Sequence, residues 1–368
     1  MLIISAIVVF NQVNYLHNKD LGFSKDQIMF FPMRGDEMFT NKDAFKDQLE
    51  QIPGVASVSV GYGFPGDAVA GDGIKTLKNG QLVENPATQL MVDYDYIQTL
   101  GLEMVAGRPF SEEMGTDRDK AFIINETAVK NLGFETPEKA IGQQLTWNVW
   151  NNTNPDSLKV GQVIGVVKDF NYKSLYEKVE TTVLQIFPDA AWKVAVKLET
   201  AQLESSLDQV ETVWNKFSPE YPLEYKFLDE NFEVMYQSED KLKTLLGVFT
   251  GLAIFVGCLG LFGLAAFSAE RRKREIGIRK VLGASVENIV MLLSKDFVKL
   301  VLVALLIASP IAWYFMDGWL QDFAYRINIG WYVFLIAGIS AVSIALLTVG
   351  FHAIKAAVSN PVKNIRTE

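Results

Sequence analysis

Hydrophobic and polar positions divide the chain into two regimes. Up to about Gln237 apolar residues come in short runs at strand or helix spacing, and after Leu245 they fuse into runs long enough to cross a hydrocarbon layer. In the first regime Ile28 to Met33 reads as a strand. Thr40 to Gln51 reads as a helix with Phe45 and Leu49 on one face, stopped by Pro53-Gly54. Val55 to Tyr62 alternates as a strand with one buried side. The same order returns later: a strand at Trp192 to Leu198, then a helix from Leu203 to Phe217 with Leu207, Val210 and Trp214 on one face. A strand at Leu223 to Leu228 completes it. Two β-α-β units predict an α+β domain built as ferredoxin-like halves, with a β-rich subdomain inserted at about 93–184.

The inserted stretch is rich in turns and short strands. Gly101 to Phe110 reads as a short strand closed by a glycine turn, and Gly161 to Phe170 as a buried strand ending in a turn. Ala121 to Lys130 passes from strand into helix with Asn125 as N-cap. Asn125, Glu126, Lys168 and Asp169 are polar residues at strand ends, which serve as caps and turn formers far more often than as active sites. The glycine pairs Gly61-Tyr-Gly63 and Gly71-Asp-Gly73 lack the strand–glycine–helix setting of a dinucleotide site and read as turns.

In the second regime the pattern predicts transmembrane helices over 245–267, 289–315 and 331–351, forming an α-helical bundle. Gly247 and Gly251 form a small-xxx-small pair that permits close helix packing. Asp296 and Lys299 stand three apart and can pair on one helical face, and Pro310 is placed to kink the second span. Met316 to Gly330 reads as a loop dressed by Trp313, Tyr314, Trp319, Tyr325, Trp331 and Tyr332, the aromatic belt of a membrane surface. At the other end of the chain Met1 to Phe10 is apolar but too short for a span. It lacks a signal peptide's basic start and cleavage site, so residues 1–13 read as the outer half of a first transmembrane helix.

Charge then orients these pieces. Residues 14–240 carry 20 basic and 36 acidic side chains, whereas 241–368 carry 14 and 7. The acidic part, 14–240, lacks the basic footprint that nucleic acid requires. The segment Ser268 to Ser285, wedged between two spans, is strongly basic and belongs on the cytoplasmic side with the tail. The acidic domain and the aromatic loop then lie outside, giving four crossings once the first helix is completed. Arg271, Arg272, Lys273 and Arg274 read as the topology anchor. The residues that follow, Glu275, Ile276, Gly277, Ile278, Arg279, Lys280, Val281, Leu282, Gly283 and Ala284, set apolar positions among the charges. That mixture predicts a short amphipathic helix and a docking surface, since an anchor needs charge alone.

Catalytic chemistry is not written in the chain. It has a single cysteine, Cys258, inside an apolar run, and two histidines, His17 and His352, far apart, so neither a metal spacing nor a Ser-His-Asp triad is present. No phosphate-binding P-loop occurs, and the spans hold almost no ionisable residue at mid-depth. No cofactor site and no enzyme activity are expected; energy must reach the chain from elsewhere.

The order of parts resembles the FtsX-like permeases of MacB-type ABC transporters. The most specific match is Glu270 to Ser285, similar to that family's cytoplasmic signature; Ala357 to Arg366 resembles its ending. In the outer domain Val92-Asp-Tyr-Asp-Tyr96, Gly107-Arg-Pro-Phe110, Asn125-Glu-Thr-Ala128 and Gly165 to Phe170 look like the MacB-like periplasmic core domain. The resemblance implies a multi-pass protein of the bacterial inner membrane with its large domain extracytoplasmic. Its partners would be a separate cytoplasmic ABC ATPase docking on Glu275 to Ala284 as a coupling helix, membrane lipid, and a second permease unit, either a second copy or the other half of a longer chain. Motion would pass through the spans to the outer domain for export or extraction of a substrate, a use termed mechanotransmission. The short first helix departs from the pattern, and is expected if the chain is the second half of a two-unit permease or begins at a mis-started frame. Two other readings follow from the same parts: an ATPase-linked signalling scaffold acting on an outer cell-wall hydrolase, and a receptor whose basic loop only anchors it.

Overall fold

The computed structural model describes residues 1–67, 71–78, 80–148 and 158–358. These form two compact units, one of residues 19–236 and one of residues 1–18 with 237–368. In chain order helix α1 (Leu2–Asn18) comes first, then β1 (Ile28–Pro32), α2 (Asp36–Thr40), α3 (Lys42–Glu50) and β2 (Val55–Gly61). There follow β3 (Gly71–Lys78), β4 (Gln81–Val92), α4 (Tyr96–Leu100), β5 (Met104–Gly107), α5 (Asp117–Lys120), β6 (Ala121–Asn125) and α6 (Glu126–Asn131). Next are α7 (Pro137–Ala140), β7 (Gln144–Asn148), β8 (Leu158–Val167), β9 (Thr182–Ile186), β10 (Lys193–Leu198), α8 (Leu203–Phe217), β11 (Lys226–Phe227) and α9 (Leu228–Met235). The long helices α10 (Gln237–Arg271), α12 (Val286–Leu320) and α13 (Trp331–Val358) close the chain, with α11 (Lys273–Val281) between the first two. The predicted tail signature lies outside the described residues from position 359 on.

In the 19–236 unit an antiparallel sheet has strand order β11-β1-β10-β2. Helices α3 and α8 follow β1 and β10 in sequence and bury their apolar stripes with the inward side chains of the sheet. Phe45 and Leu49 of α3 meet Phe31, Val58, Val196 and Trp214 in one core. Trp214 stands edge-on to Phe31, 5.5 Å between centroids, and its indole N–H donates to the Tyr221 carbonyl at 2.8 Å, which settles the one polar atom it buries. The α8 span coincides with the predicted one. The strand predicted at Leu223 to Leu228 shrinks to two residues, because only Met29 and Phe30 of β1 take partners there and Leu228 already starts α9.

The remaining strands form a sheet of order β5-β8-β6-β9-β4-β3-β7 that closes through an additional β7–β8 pairing into a barrel. Strand β8 makes closure possible by its length: Leu158 to Gln162 pairs with β7, and Gly165 to Val167 pairs with β5. Trp147, Phe122, Val163 and Val183 fill the interior. Gly71 and Gly73, expected in a turn, lie in β3 opposite Thr88 and Pro86 of the long β3–β4 hairpin, so the barrel strands begin at Gly71 rather than near Asp93. Polar residues, glycine and proline interrupt both strands and the turn-side half of β4 is exposed, which weakens the alternation that marks a strand.

In the other unit, α10 and the Trp331–Phe351 stretch of α13 are each long and apolar enough to cross a membrane. The helices pack in layers. Ile4, Val8, Val9 and Val13 of α1 meet Ala312, Met316, Val333 and Ala337; a second layer joins Ala265, Phe297 and Val349; a third joins Ile276, Ile289, Leu293 and Ala353. Gln12 of α1 is fully buried. Its side-chain amide donates to the Tyr325 carbonyl and accepts from the Ile327 N–H, both at 2.9 Å, tying α1 to the loop after α12. That loop is shorter than expected, since α12 continues to Leu320.

Candidate functional site

The basic segment between the two long helices is an ordered corner. Helix α10 ends at Arg271, and Arg272 leaves helical geometry before α11 begins. The Arg272 guanidinium reaches α12 and pairs with Asp296 at 3.0 Å. Asp296 was expected to pair with Lys299 on its own helix. The corner instead delivers a planar donor from 24 residues away, a placement that helical spacing cannot reveal. Lys273 pairs with Glu270 at 2.9 Å and Glu275 with Arg279 at 2.8 Å, while Arg271 and Arg274 stay exposed.

Helix α11 splits the apolar residues of the predicted docking segment. Ile276 is 2% exposed, packed with Ile289, Leu293 and Ala353; Ile278, Val281 and Leu282 are 53%, 66% and 80% exposed. At about 100° per residue those three fall within about 100° of one another, on the side opposite Ile276. One side chain therefore seats α11 on α12 and α13, and three form an outward apolar patch flanked by Arg279 and Lys280.

The end of α11 is fixed by backbone geometry. Gly283 takes φ +92°, a conformation that side chains disfavour, while a Cβ there would meet nothing within 4 Å. The Ala284 N–H returns to the Arg279 carbonyl at 2.9 Å and the Gly283 N–H to the Lys280 carbonyl at 3.1 Å, the paired bonds of a Schellman cap. Ser285 then caps α12, its hydroxyl accepting from the Asn288 N–H at 3.3 Å. Leu-Gly-Ala-Ser thus ends one helix and starts the next within four residues, so α11 cannot turn independently of α12. Gly247 and Gly251 on α10 have no neighbour within 4 Å of an added Cβ, so the small-xxx-small pair faces open space within this chain.

In the 19–236 unit the family-like motifs are clamps. Arg108 forks onto Asp117 at 2.6 and 2.8 Å, and Asp117 also accepts from the Ser111 N–H at 3.0 Å. The Arg108 hydrogen bonds hold the Asp117 carboxyl below its ordinary value against the opposing effect of burial. Gly107 before it, at φ +73°, has no room for a Cβ against the Ile164 carbonyl. Asn125 caps α6 as predicted, accepting from the Ala128 N–H at 2.9 Å and the Thr182 N–H at 3.0 Å. Asp169 accepts from the Thr127 N–H and hydroxyl, and its own N–H donates to Glu126, so these polar residues are caps.

Sequence reasoning missed a cleft of about 1040 Å³ in this unit, lined by Lys46, Glu50, Asp93, Asp95, Arg118 and Asp189 among others. Lys46 donates to Asp93 at 2.8 Å and to Asp95, and Asp93 also accepts from the Ser59 hydroxyl at 2.6 Å and the Val60 N–H at 2.9 Å. Burial disfavours the Lys46 ammonium, but the two carboxylates outweigh it and its pKa rises. The alternating acids of Val92-Asp-Tyr-Asp-Tyr96 were the available signal; their lysine lies 47 residues upstream. Among the described residues no three His, Cys, Asp or Glu side chains come together as a metal site.

Comparison with known proteins covers both units. The family profile described as MacB-like periplasmic core domain matches residues 2–213, and that described as FtsX-like permease C-terminal matches residues 247–361. The uncharacterized ABC transporter permease YknZ of Bacillus subtilis (strain 168) is 23% identical over 217 residues, 55% of this chain and 50% of that protein. The chain thus spans about half the length of the curated relative it matches. Among solved structures, the periplasmic region of MacB from Actinobacillus actinomycetemcomitans is 12% identical, with 60% of this chain and 97% of that one covered at a TM-score of 0.41. The extracellular domain of the noncanonic ABC-type transporter YknZ from Gram-positive bacteria is 17% identical, covering 54% and 97% at a TM-score of 0.38.

Proposed function

Because the chain belongs to the MacB/FtsX-like family of ABC-transporter permeases, we propose that it is the non-catalytic membrane subunit of such a transporter. A separate cytoplasmic ATPase moves it, and it transmits that motion to its extracytoplasmic domain for export or extraction of a substrate. The observation that carries the docking role is the outward patch of Ile278, Val281 and Leu282 on a helix capped directly into α12. A partner seated there would push on α12 without slack. Exposed apolar residues ringed by charge at a polar level of the chain are what a protein interface buries.

The same reading assigns residues 1–13 to a first transmembrane helix, 14–240 to the extracytoplasmic domain and 241–368 to the transmembrane domain with its cytoplasmic coupling segment at 268–288. The sheet order β11-β1-β10-β2, with α3 and α8 as crossovers, supports ferredoxin-like halves around the inserted barrel. Helices α10, α12 and α13 would each span the inner membrane in a bundle completed by α1. The open Gly247–Gly251 stripe would receive a second permease unit.

The test is co-purification of the ATPase subunit with wild type and with Val281→Asp/Leu282→Asp. Loss of the ATPase from a well-folded double variant is the expected result, and undiminished retention would rule out this patch as the docking surface. Reporter fusions after Gly142 and after Ser285 should report opposite sides of the membrane; the same side for both would overturn the topology.

A further inference from the structure

Beside the α11 corner, helices α12 and α13 enclose an open groove of about 810 Å³. Its walls are apolar, with Val290, Met291 and Val298 from α12 and Leu346 and Ile354 from α13. Lys295 and Lys299 line it one helical turn apart, both exposed, and neither has an ion pair among the described residues. Of the nearby carboxylates, Asp296 is taken by Arg272, and Glu287 lies at the groove's far end, two to three turns from the lysines. Between the lysines' turn and the groove floor sits Ser294, 6% exposed, whose hydroxyl has no hydrogen-bond partner among the described residues. A buried hydroxyl left unpaired is costly, and this one lies behind the groove wall beside the two lysines.

The level of these residues in the bundle follows from packing. Phe297 shares a layer with Ala265 and Val349, and on α10 the apolar run ends two residues past Ala265, at Phe267, before Glu270 and Arg271. Lys295 and Lys299 therefore stand where hydrocarbon gives way to headgroups on the basic side. Retention of positive charge on that side accounts for the presence of lysines, but not for the apolar groove that both of them line.

We propose that this groove is a binding site for one anionic phospholipid. The lipid phosphate sits on Lys295 and Lys299, and acyl chains lie against Val298 and Leu346. The charge complementarity selects an anionic over a zwitterionic headgroup. The site touches α12 one turn from the Arg272–Asp296 pair, so the bound lipid bears on the same helix that α11 is capped into. This assignment depends only on the inner leaflet facing the basic corner; it stands or falls separately from ATPase docking.

The experiment is native mass spectrometry of the detergent-solubilised full chain with added dioleoyl phosphatidylglycerol or dioleoyl phosphatidylcholine. Wild type should retain phosphatidylglycerol preferentially, and Lys295→Gln/Lys299→Gln should lower its retention at least about fivefold while leaving phosphatidylcholine unchanged. Val290→Trp, which fills the groove and keeps both lysines, should lower retention of both lipids. Lys241→Gln/Arg326→Gln, which removes equal charge elsewhere in the unit, should keep the preference. Equal retention of the two lipids by wild type would overturn the proposal. So would a loss in the Lys241/Arg326 control as large as in the lysine pair.

Discussion

The cytoplasmic segment and one of the outer motifs both carry the family likeness, and the fold uses them in opposite ways. Around Gly107-Arg-Pro-Phe110 every distinctive group is consumed internally: the glycine by a steric limit, the arginine by a fork onto buried Asp117. Around Glu275 to Ala284 the backbone is just as strictly fixed, by a Schellman cap and a serine cap, yet three of its four large apolar side chains are exposed. A signature can therefore mark a position that the fold needs or a surface that the fold leaves unsatisfied. Only burial separates the two, because free energy of folding accounts for the first and cannot account for the second.

Four substitutions probe that contrast, and denaturant unfolding of the purified chain reads each of them. Ile276→Asp places a charge in the α11–α12–α13 core and should cost about 4 kcal/mol. A small effect would mean that α11 is not seated as described. Asp117→Ala leaves Arg108 without its fork and should cost about 3 kcal/mol, reduced from the value of a fully buried pair because Arg108 is partly exposed. Since the Asp117 pKa is lowered in the fold, this contribution is present above the ordinary carboxylate range. It is lost as pH falls through the folded value, so wild type and variant should converge in acid.

Lys159 gives a third test, in which the fold favours the neutral side chain instead of the charged one. Burial pushes its ammonium down to about 8, against the pull of Asp119 and Asp117. Its side chain donates to the Arg118 carbonyl at 2.7 Å and to the Ile186 carbonyl at 3.2 Å. Between pH 8 and the ordinary lysine range the unfolded chain binds more protons than the folded one, so stability should rise with pH there. Lys159→Met should remove a rise of about 3 kcal/mol. The smallest effect is expected at Leu282→Asp, within about 0.5 kcal/mol, because the side chain is already in solvent. A stable Leu282→Asp chain that fails to bind the proposed ATPase would sharpen the contrast between seated and open residues; an unstable one would break it.

Local order was legible wherever the deciding interactions are near in sequence. The α8 stripe, the β6-to-α6 passage with Asn125 as its cap, and the long apolar helices follow from residue spacing alone. The outward grouping of Ile278, Val281 and Leu282 was equally available from the helical angle. Distant pairings were not legible. Lys46 meets Asp93 across 47 residues, Arg272 meets Asp296 across 24, and Gln12 meets the loop at Tyr325 across more than 300. The β3–β4 hairpin was hidden because polar residues, glycine and proline interrupt its alternation, and the barrel closes only through the length of β8. Periodicity, charge balance and capping residues determined the elements, the division into an acidic and a basic part, and the absence of a nucleotide loop. Which lysines are locked, which apolar residues are spent on the core, and which hydroxyl is left unpaired were decided by tertiary packing, since a side chain's partner is fixed by where remote backbone brings it.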